Sequence, residues 1–325
     1  MTNSLVYGPV PSRRLGRSLG INNIPPKRCP YSCVYCQLGQ TVDMQIGRKA
    51  FYEPLELACS VRERVRQLRE EGELIDYLSF VPDGEPTLDI NLGKEIELLR
   101  ALGIKIAVIT NASLIWHENV QQDLQKADWV CLKVDAVTPD IWHSINSPHE
   151  KIKLDNILEG MLGFAKSFRG ELTTETMLIR GINDSEHEFN KIAAFLTELK
   201  PAVAYLAVPT RPPAEQVEPA TEQTLNTAYQ TFSKKLSRVE YLIGYEGNAF
   251  SSTGNAADDL LSITAVHPMR EEAVAELLDR LNMGWETAQE LINNGSLVEL
   301  EYQGKKFYAR RLPTQGQADK RRIAR

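Results

Sequence analysis

The chain is expected to be an α/β protein, a partial (β/α)6 TIM-like barrel followed by a small winged-helix-like domain. Three observations carry this. Six extended apolar runs alternate with helical patterns over the first 250 residues. The spacing leaves room for right-handed crossovers, which make the strands parallel. Near residue 250 the alternation stops, and three short helical patterns and a hairpin pattern follow. Six units are too few to close an eight-fold barrel but suit an open one. Chemistry in such folds gathers at the carboxyl ends of the strands.

The expected strands are Ser18–Asn23, Asp76–Pro82, Lys105–Thr110, Trp129–Asp135, Leu172–Arg180 and Ala204–Pro209, with a seventh candidate at Arg238–Tyr245. Helical periodicity fills the gaps at Leu55–Glu71, Asn91–Leu102, Asp155–Phe168, Ser185–Leu199 and Thr221–Ser237. Beyond them, Ala256–Ala265, Arg270–Leu281 and Trp285–Asn293 read as helices, the last stopped by Asn294-Gly295. Leu297–Tyr302 and Lys306–Arg311 alternate around Gln303-Gly304 as a hairpin. Three helices and a hairpin are the layout of a winged helix. The expected organisation is a barrel over 1–250, a winged-helix-like domain over 251–312 with its boundary in Ser251–Asn255, and a basic tail over 313–325.

Composition bounds the class. The 325 residues are 42% hydrophobic and 25% charged, as in ordinary globular proteins. The start has no basic segment followed by an apolar run, and no stretch approaches the length of a membrane span, so a cytoplasmic protein is expected. The net charge of −6 is uneven: residues 305–325 carry +7, leaving −13 elsewhere. That basic end reads either as a solvated terminus or as a contact for an anionic partner.

Three of five cysteines crowd into CPYSCVYC: Cys29, Cys33 and Cys36. A disulfide framework would spread them out. The C-x3-C-x2-C loop follows the first strand, past Pro25-Pro26, at a strand's carboxyl end. Iron–sulfur clusters take thiolates, normally four, so three leave one iron open to another ligand. Zinc with a distant fourth ligand, or simply buried cysteines, is the competing reading. The five histidines are scattered and offer no paired ligand spacing. Cys59, on an expected helix, and Cys131, on a strand, read as core.

The motif, with aromatic Tyr35 before its last cysteine and a strand–helix chain around it, resembles the radical S-adenosylmethionine (radical SAM) superfamily. The resemblance covers roughly residues 5 to 250. It implies a 4Fe–4S cluster on Cys29, Cys33 and Cys36, with the amino and carboxylate groups of S-adenosylmethionine on the fourth iron. Reductive cleavage would give a 5′-deoxyadenosyl radical that abstracts hydrogen from a substrate. It also implies an electron donor such as flavodoxin or ferredoxin.

The resemblance assigns further residues to the cofactor. Asp83-Gly84-Glu85-Pro86-Thr87 stands where the family carries its glycine–glutamate motif, with Gly84 and Glu85 matching and Asp83 departing from the usual first glycine. A carboxylate suits the methionine ammonium. Thr110 and Asn111 end the third strand, and a turn or cap reads equally well there. Alternation puts Trp129, Cys131, Lys133 and Asp135 on one face of the fourth strand. Lysine and aspartate are costly to bury unless paired or liganded, and the resemblance implies that Lys133 and Asp135 face the cavity and touch the methionine carboxylate or the ribose. Glu175 on the fifth strand and Val208 on the sixth complete the candidate cofactor shell.

Substrate candidates are arginines. Arg211 follows the sixth strand and suits a carboxylate or phosphate, or a surface acid. Arg13 and Arg14, in Pro11–Gly20, would reach an anionic substrate or merely cap the barrel. The run Gly8–Arg14 with Tyr35–Gly39 resembles a bacterial group whose relatives include the wyosine-forming tRNA-modifying enzymes. Those carry a second cluster on cysteines ahead of the motif, and this chain has no cysteine before Cys29. The third helix of the winged-helix pattern holds Glu286 and Glu290 and no lysine or arginine, a poor face for phosphates. An RNA or peptide substrate would then engage the hairpin and tail. The alternative function is a non-catalytic sensor, with a cluster or zinc and a winged helix for DNA.

Overall fold

The computed structural model describes residues 5–244, 250 and 254–311. An amino-terminal hairpin opens the chain, β1 (Val6–Ser12) and β2 (Gly16–Ile21). Two short strands, β3 (Arg28–Cys29) and β4 (Asp43–Met44), precede helix α1 (Pro54–Glu70). Then come β5 (Tyr77–Phe80), α2 (Leu92–Leu99), β6 (Lys105–Thr110), α3 (Glu118–Leu124), β7 (Trp129–Lys133), α4 (Pro139–Asn146) and α5 (Leu154–Ser167). The series ends with β8 (Glu171–Met177), α6 (Glu186–Leu199), β9 (Val203–Ala207), α7 (Glu222–Ser233) and β10 (Val239–Leu242).

One curled sheet of eight strands carries the order β1-β2-β5-β6-β7-β8-β9-β10. The pairs from β2 to β10 are parallel and β1 is antiparallel to β2. The open, TIM-like architecture is therefore as the sequence predicts, with two additions to the six strands. The seventh candidate is β10. The extra edge, β1, precedes and only just enters Pro11–Gly20, the stretch read above as either a substrate contact or a cap. Its Tyr7 ring covers Gly20, where any Cβ would fall about 2.0 Å from the ring, and its hydroxyl donates to the Val81 carbonyl at 2.7 Å. Glycine at 20 is what lets the edge strand close on the sheet.

Two cores result. The helices pack outside on Leu19, Leu57, Phe80, Val108, Leu132, Phe164 and Phe189. Leu15, Trp129, Cys131, Val203, Tyr205 and Leu242 fill the inner side of the curl. Ser185 and Thr221 begin α6 and α7 by accepting amides of Glu188 and Thr224, as their sequence positions suggest. One residue departs from expectation: Cys59 is exposed. Helix α1 buries Leu57, Ala58, Val61, Val65 and Leu68, and position 59 falls off that stripe by the 3.6-residue period.

The carboxyl-terminal unit comprises α8 (Ala256–Val266), β11 (Met269–Arg270), α9 (Glu271–Arg280), α10 (Glu286–Asn293), β12 (Leu297–Tyr302) and β13 (Lys305–Arg310). Its three strands form a separate sheet in the order β11-β13-β12. Its core of Phe250, Leu260, Ile263, Leu277 and Tyr308 also takes in Val10 of β1. The expected basic tail, and most of the expected boundary segment, lie outside the described residues. Among the described residues no helix is long and apolar enough to cross a membrane.

Candidate functional site

The cysteine loop is held at both ends. At its start Cys29 lies on β3, which pairs with β4. Further along, the Ser32 and Val34 amides donate to carbonyls at the end of α4, Asn146 and Ile145, at 3.1 and 3.0 Å. The Cys36 amide donates to the Cys33 carbonyl, and Gly39 to Cys36, both at 3.0 Å. All three thiols are partly buried. Burial pushes Cys29 well up, Cys33 to about 12 and Cys36 up, and neighbouring thiolates and acids add to the effect on Cys29 and Cys33. A bound cation reverses that, since a coordinating thiol is deprotonated outright.

The donor set fits an iron–sulfur cluster. Amides point at the sulfurs: Asn111 Nδ2 lies 3.2 Å from Cys29 Sγ, and Asn146 Nδ2 lies 3.3 Å from Cys33 Sγ. Such contacts stabilise anionic sulfur. Lys27 and Lys133 favour the Cys36 thiolate through their charge. Among the described residues no three His, Cys, Asp or Glu side chains surround a position for one ion. A single zinc draws its thiolates to within about 2.3 Å of one point, whereas a cluster distributes them over separate irons.

Glu85 ties the second and third parallel strand ends to this loop. Its Oε1 accepts from the Thr87 amide at 3.1 Å, the Thr87 hydroxyl at 2.6 Å and the Thr110 hydroxyl at 2.5 Å. Its Oε2 accepts from the Asn111 amide at 2.9 Å. Burial still raises this carboxyl, and these donors offset it only partly. The Gly84 position lies against the β3 backbone: a Cβ there would stand 2.2 Å from the Arg28 carbonyl. The Glu85 amide donates to the same carbonyl at 3.0 Å. Glycine here lets the Glu85 turn lie against the strand that carries Cys29.

Across the barrel mouth the charges are paired. Lys133 Nζ is 2.7 Å from Glu175 Oε1, and Arg14 pairs with the other oxygen. Burial opposes the charge on Glu175, yet Lys133 and Arg14 hold it down to about 2. Burial likewise opposes the charge on Lys133, but Glu175 and Asp135 raise its pKa overall. Its ammonium stands 4.7 Å over the Tyr35 ring. The Tyr35 hydroxyl donates to Asp135 Oδ2, which also accepts from Asn146 at 2.9 Å, while Oδ1 takes the Met177 amide at 2.9 Å.

The remaining candidates are placed differently. Arg14 turns into the barrel beside Cys131 and Glu175, whereas Arg13 is exposed. Arg211 donates to Gln37 Oε1 and contacts His267 Nε2, each at 2.8 Å. Burial, with Arg211 and Arg13 nearby, keeps His267 well below the usual histidine range. Val208 packs on the outer core. Cys131 is fully buried. Sequence reading missed Asn146, Lys27 and Asn183. Asn183 donates to the Asp135 and Met177 carbonyls at 2.8 and 2.7 Å, which fixes the loop that presents Asp135. An asparagine after the glycine at a strand end was the available signal.

Comparison with known proteins agrees with this geometry. The Radical SAM superfamily model matches residues 23–195. The UPF0026 protein MJ1312 of Methanocaldococcus jannaschii is 47% identical over 312 residues, covering 95% of this chain and 97% of its own. A radical SAM methyltransferase structure from Sphaerobacter thermophilus shares the fold with a TM-score of 0.52 at 16% identity, over 70% of this chain and 67% of that one. TYW1 with a lysine–pyruvate adduct bound gives a TM-score of 0.50 at 17% identity, over 68% and 74%. With a family model spanning more than half its length and a near full-length relative, the chain belongs to the radical SAM superfamily, whose members use a 4Fe–4S cluster and S-adenosylmethionine.

Proposed function

We propose that the chain is a radical SAM enzyme in which Cys29, Cys33 and Cys36 hold the cluster. The carrying observation is the pair of side-chain amides directed at the cysteine loop, Asn111 from the end of β6 at Cys29 and Asn146 from the end of α4 at Cys33. When bound, the cluster and S-adenosylmethionine supply a 5′-deoxyadenosyl radical able to abstract hydrogen from a substrate. The chain's own residues bind and orient. Glu85 Oε2 accepts one hydrogen bond from the described residues, and a carboxylate oxygen has capacity for a second donor such as the methionine ammonium. Lys133, fixed by Glu175, would offer its charge to the methionine carboxylate. Asp135, Asn111 and Thr110 would complete the cofactor shell, with Tyr35 hydrogen-bonded to Asp135.

Anaerobic reconstitution tests the reading. Expected are about four irons and four sulfides per chain, with 5′-deoxyadenosine formed from S-adenosylmethionine and dithionite. Stoichiometric zinc without that product would instead support a non-catalytic sensor. An RNA or peptide substrate would engage the carboxyl-terminal unit. RNA that co-purifies with the full chain but not with a chain ending near Ser252 would support the RNA substrate.

A further inference from the structure

A groove of about 730 Å³ runs between the cysteine loop and the carboxyl-terminal unit. Small-molecule sites span about 300–1,000 Å³. One wall is residues 37–42, directly after Cys36, together with Lys27. The facing wall is β12 and the end of β13. None of Glu85, Asn111, Lys133, Asp135 or Glu175 lines it, so the groove is separate from the barrel mouth.

Two features of the lining select a ligand. The first is charge. Lys27, Arg310 and Arg311 line the groove, and among the described residues no aspartate or glutamate does. None of these three cations forms an ion pair with a described carboxylate, whereas Lys133 and Arg14 at the barrel mouth both pair with Glu175. Asp83 lies within electrostatic reach of Lys27 and Arg310. Burial pushes its carboxyl up to about 7, and the two cations offset that only in part, so Asp83 neutralises them incompletely. The second feature is an apolar floor of Leu38, Pro212, Pro213, Val298 and Leu300. Val298 and Leu300 are two apart on β12 and share one face of it. Among the described residues no aromatic side chain lines the groove to stack a base.

The backbone at Lys27 points the same way. Its φ is +65°, in the left-handed region that glycine enters freely and lysine does not. The Lys27 amide donates to the Asp83 carbonyl at 2.7 Å, and the Val42 amide donates to the Lys27 carbonyl at 3.2 Å, which holds the turn. Its ammonium is 2.9 Å from the Gln40 carbonyl. A lysine standing where glycine would relax the turn indicates a use for its side chain.

We infer that this groove binds a soluble organic phosphate with an apolar body. Lys27, Arg310 and Arg311 hold the head, and Leu38, Pro212 and Leu300 carry the body. Arginine forks match phosphate oxygens two at a time. The bound ester bridges the segment after Cys36 and the carboxyl-terminal unit. The site goes beyond the cluster reading and does not depend on it.

Isothermal titration calorimetry of hexyl phosphate into the full chain, cluster-free and cluster-loaded, tests the site. Saturable binding is expected, at least about tenfold tighter than inorganic phosphate, the gain from burying about two methylenes. Hexanol is expected not to bind. R310Q/R311Q is expected to weaken hexyl phosphate by about tenfold or more. Lys27→Gly should weaken it similarly while leaving the melting temperature unchanged or raised, because glycine relaxes the left-handed turn. If circular dichroism shows that R310Q/R311Q does not fold, Lys27→Gly carries the same test. Equal hexyl phosphate binding by wild type and a folded variant overturns the inference, as does binding no tighter than that of inorganic phosphate. Retention of the chain on vesicles of phosphatidylcholine and phosphatidic acid, or on bulk tRNA, without hexyl phosphate binding would overturn it in favour of a membrane surface or RNA.

Discussion

Two sets of buried carboxylates behave oppositely in this molecule. At the barrel mouth, Glu175 is enclosed by Lys133 and Arg14 and held down to about 2. On the outer side of the sheet, burial pushes Asp89 to about 7 and Glu95 to about 9. Asn23 beside Glu95 offsets this in part, and neither Glu95 oxygen meets a donor at hydrogen-bond geometry. Burial alone is similar in the two places. What differs is how far cations offset the burial: Lys133 and Arg14 pair directly with Glu175, whereas Arg48 offsets the burial of Asp89 only in part and among the described residues no cation lowers Glu95. The Glu175 corner of the mouth keeps its charges by pairing them. On the flank, burial keeps Glu95 neutral at pH 7 and leaves Asp89 near its midpoint.

Removing the compensated acid is the largest expected effect. Glu175→Leu strands two cations inside the barrel, and breaking such a pair costs about 3–5 kcal/mol. Urea unfolding at pH 7 measures it, and a loss below about 1 kcal/mol would break the contrast. The acid limb sharpens it. The folded pKa of about 2 lies below the ordinary glutamate value near ~4.3. The contribution of Glu175 is therefore full above that value and lost as pH falls toward 2. Glu175→Gln should match wild type most closely at the acid end.

Glu95 has the opposite sign. Its folded pKa of about 9 lies above the unfolded value, so folding takes up a proton between the two. Stability is full below about pH 4.3 and falls as pH rises toward 9, by at most about 1.4 kcal/mol per unit. Glu95→Gln removes that slope and places an amide beside the Asn23 oxygen, which lacks a donor. The variant should be more stable than wild type at pH 8.5, on the order of 1–3 kcal/mol, with the gain shrinking steadily toward about pH 4. Parallel curves for the two proteins would show that Glu95 is ionised and compensated after all.

A smaller effect probes the sulfur side of the mouth. Asn146→Ala deletes the donor to Cys33 and to Asp135. A hydrogen bond of ~1 kcal/mol corresponds to roughly 40–50 mV for one electron. The cluster's reduction potential should fall by about that amount, read by electron paramagnetic resonance during redox titration, while iron content stays at wild-type level. An unchanged potential would mean that this amide does not bear on the sulfur.

The parts of this contrast differ in how far the sequence shows them. Strands β5 to β9 are legible because apolar runs bounded by breakers report local geometry. The cysteine loop is legible because its spacing is local too, and Lys133 and Asp135 follow from strand alternation. Arg14 reads in sequence as a substrate contact or a cap, and its pairing with Glu175 is not legible there because the two lie 161 positions apart. Asn146 approaches Cys33 across 113 positions and belongs to no motif. The amino-terminal strand escaped because Gly8, Pro9 and Pro11 interrupt its alternation. Such contacts are properties of the closed sheet, and no window of sequence contains both ends of them.

The weakest form of the contrast lies in the two cysteines outside the motif. Cys131 is enclosed beside Arg14, and burial raises its thiol to about 11. Cys59 stands exposed on the outer face of α1. In the cluster-loaded protein, iodoacetamide should label Cys59 rapidly, because a water-facing thiol has access that the others lack. Cys59→Ser should abolish that fast phase, leave the iron and sulfide count unchanged and shift stability by no more than about 0.5 kcal/mol. Rapid labelling of Cys131 instead would mean that the barrel interior opens to water. The Arg14–Glu175–Lys133 pairing could then not be the enclosed arrangement that keeps Glu175 ionised.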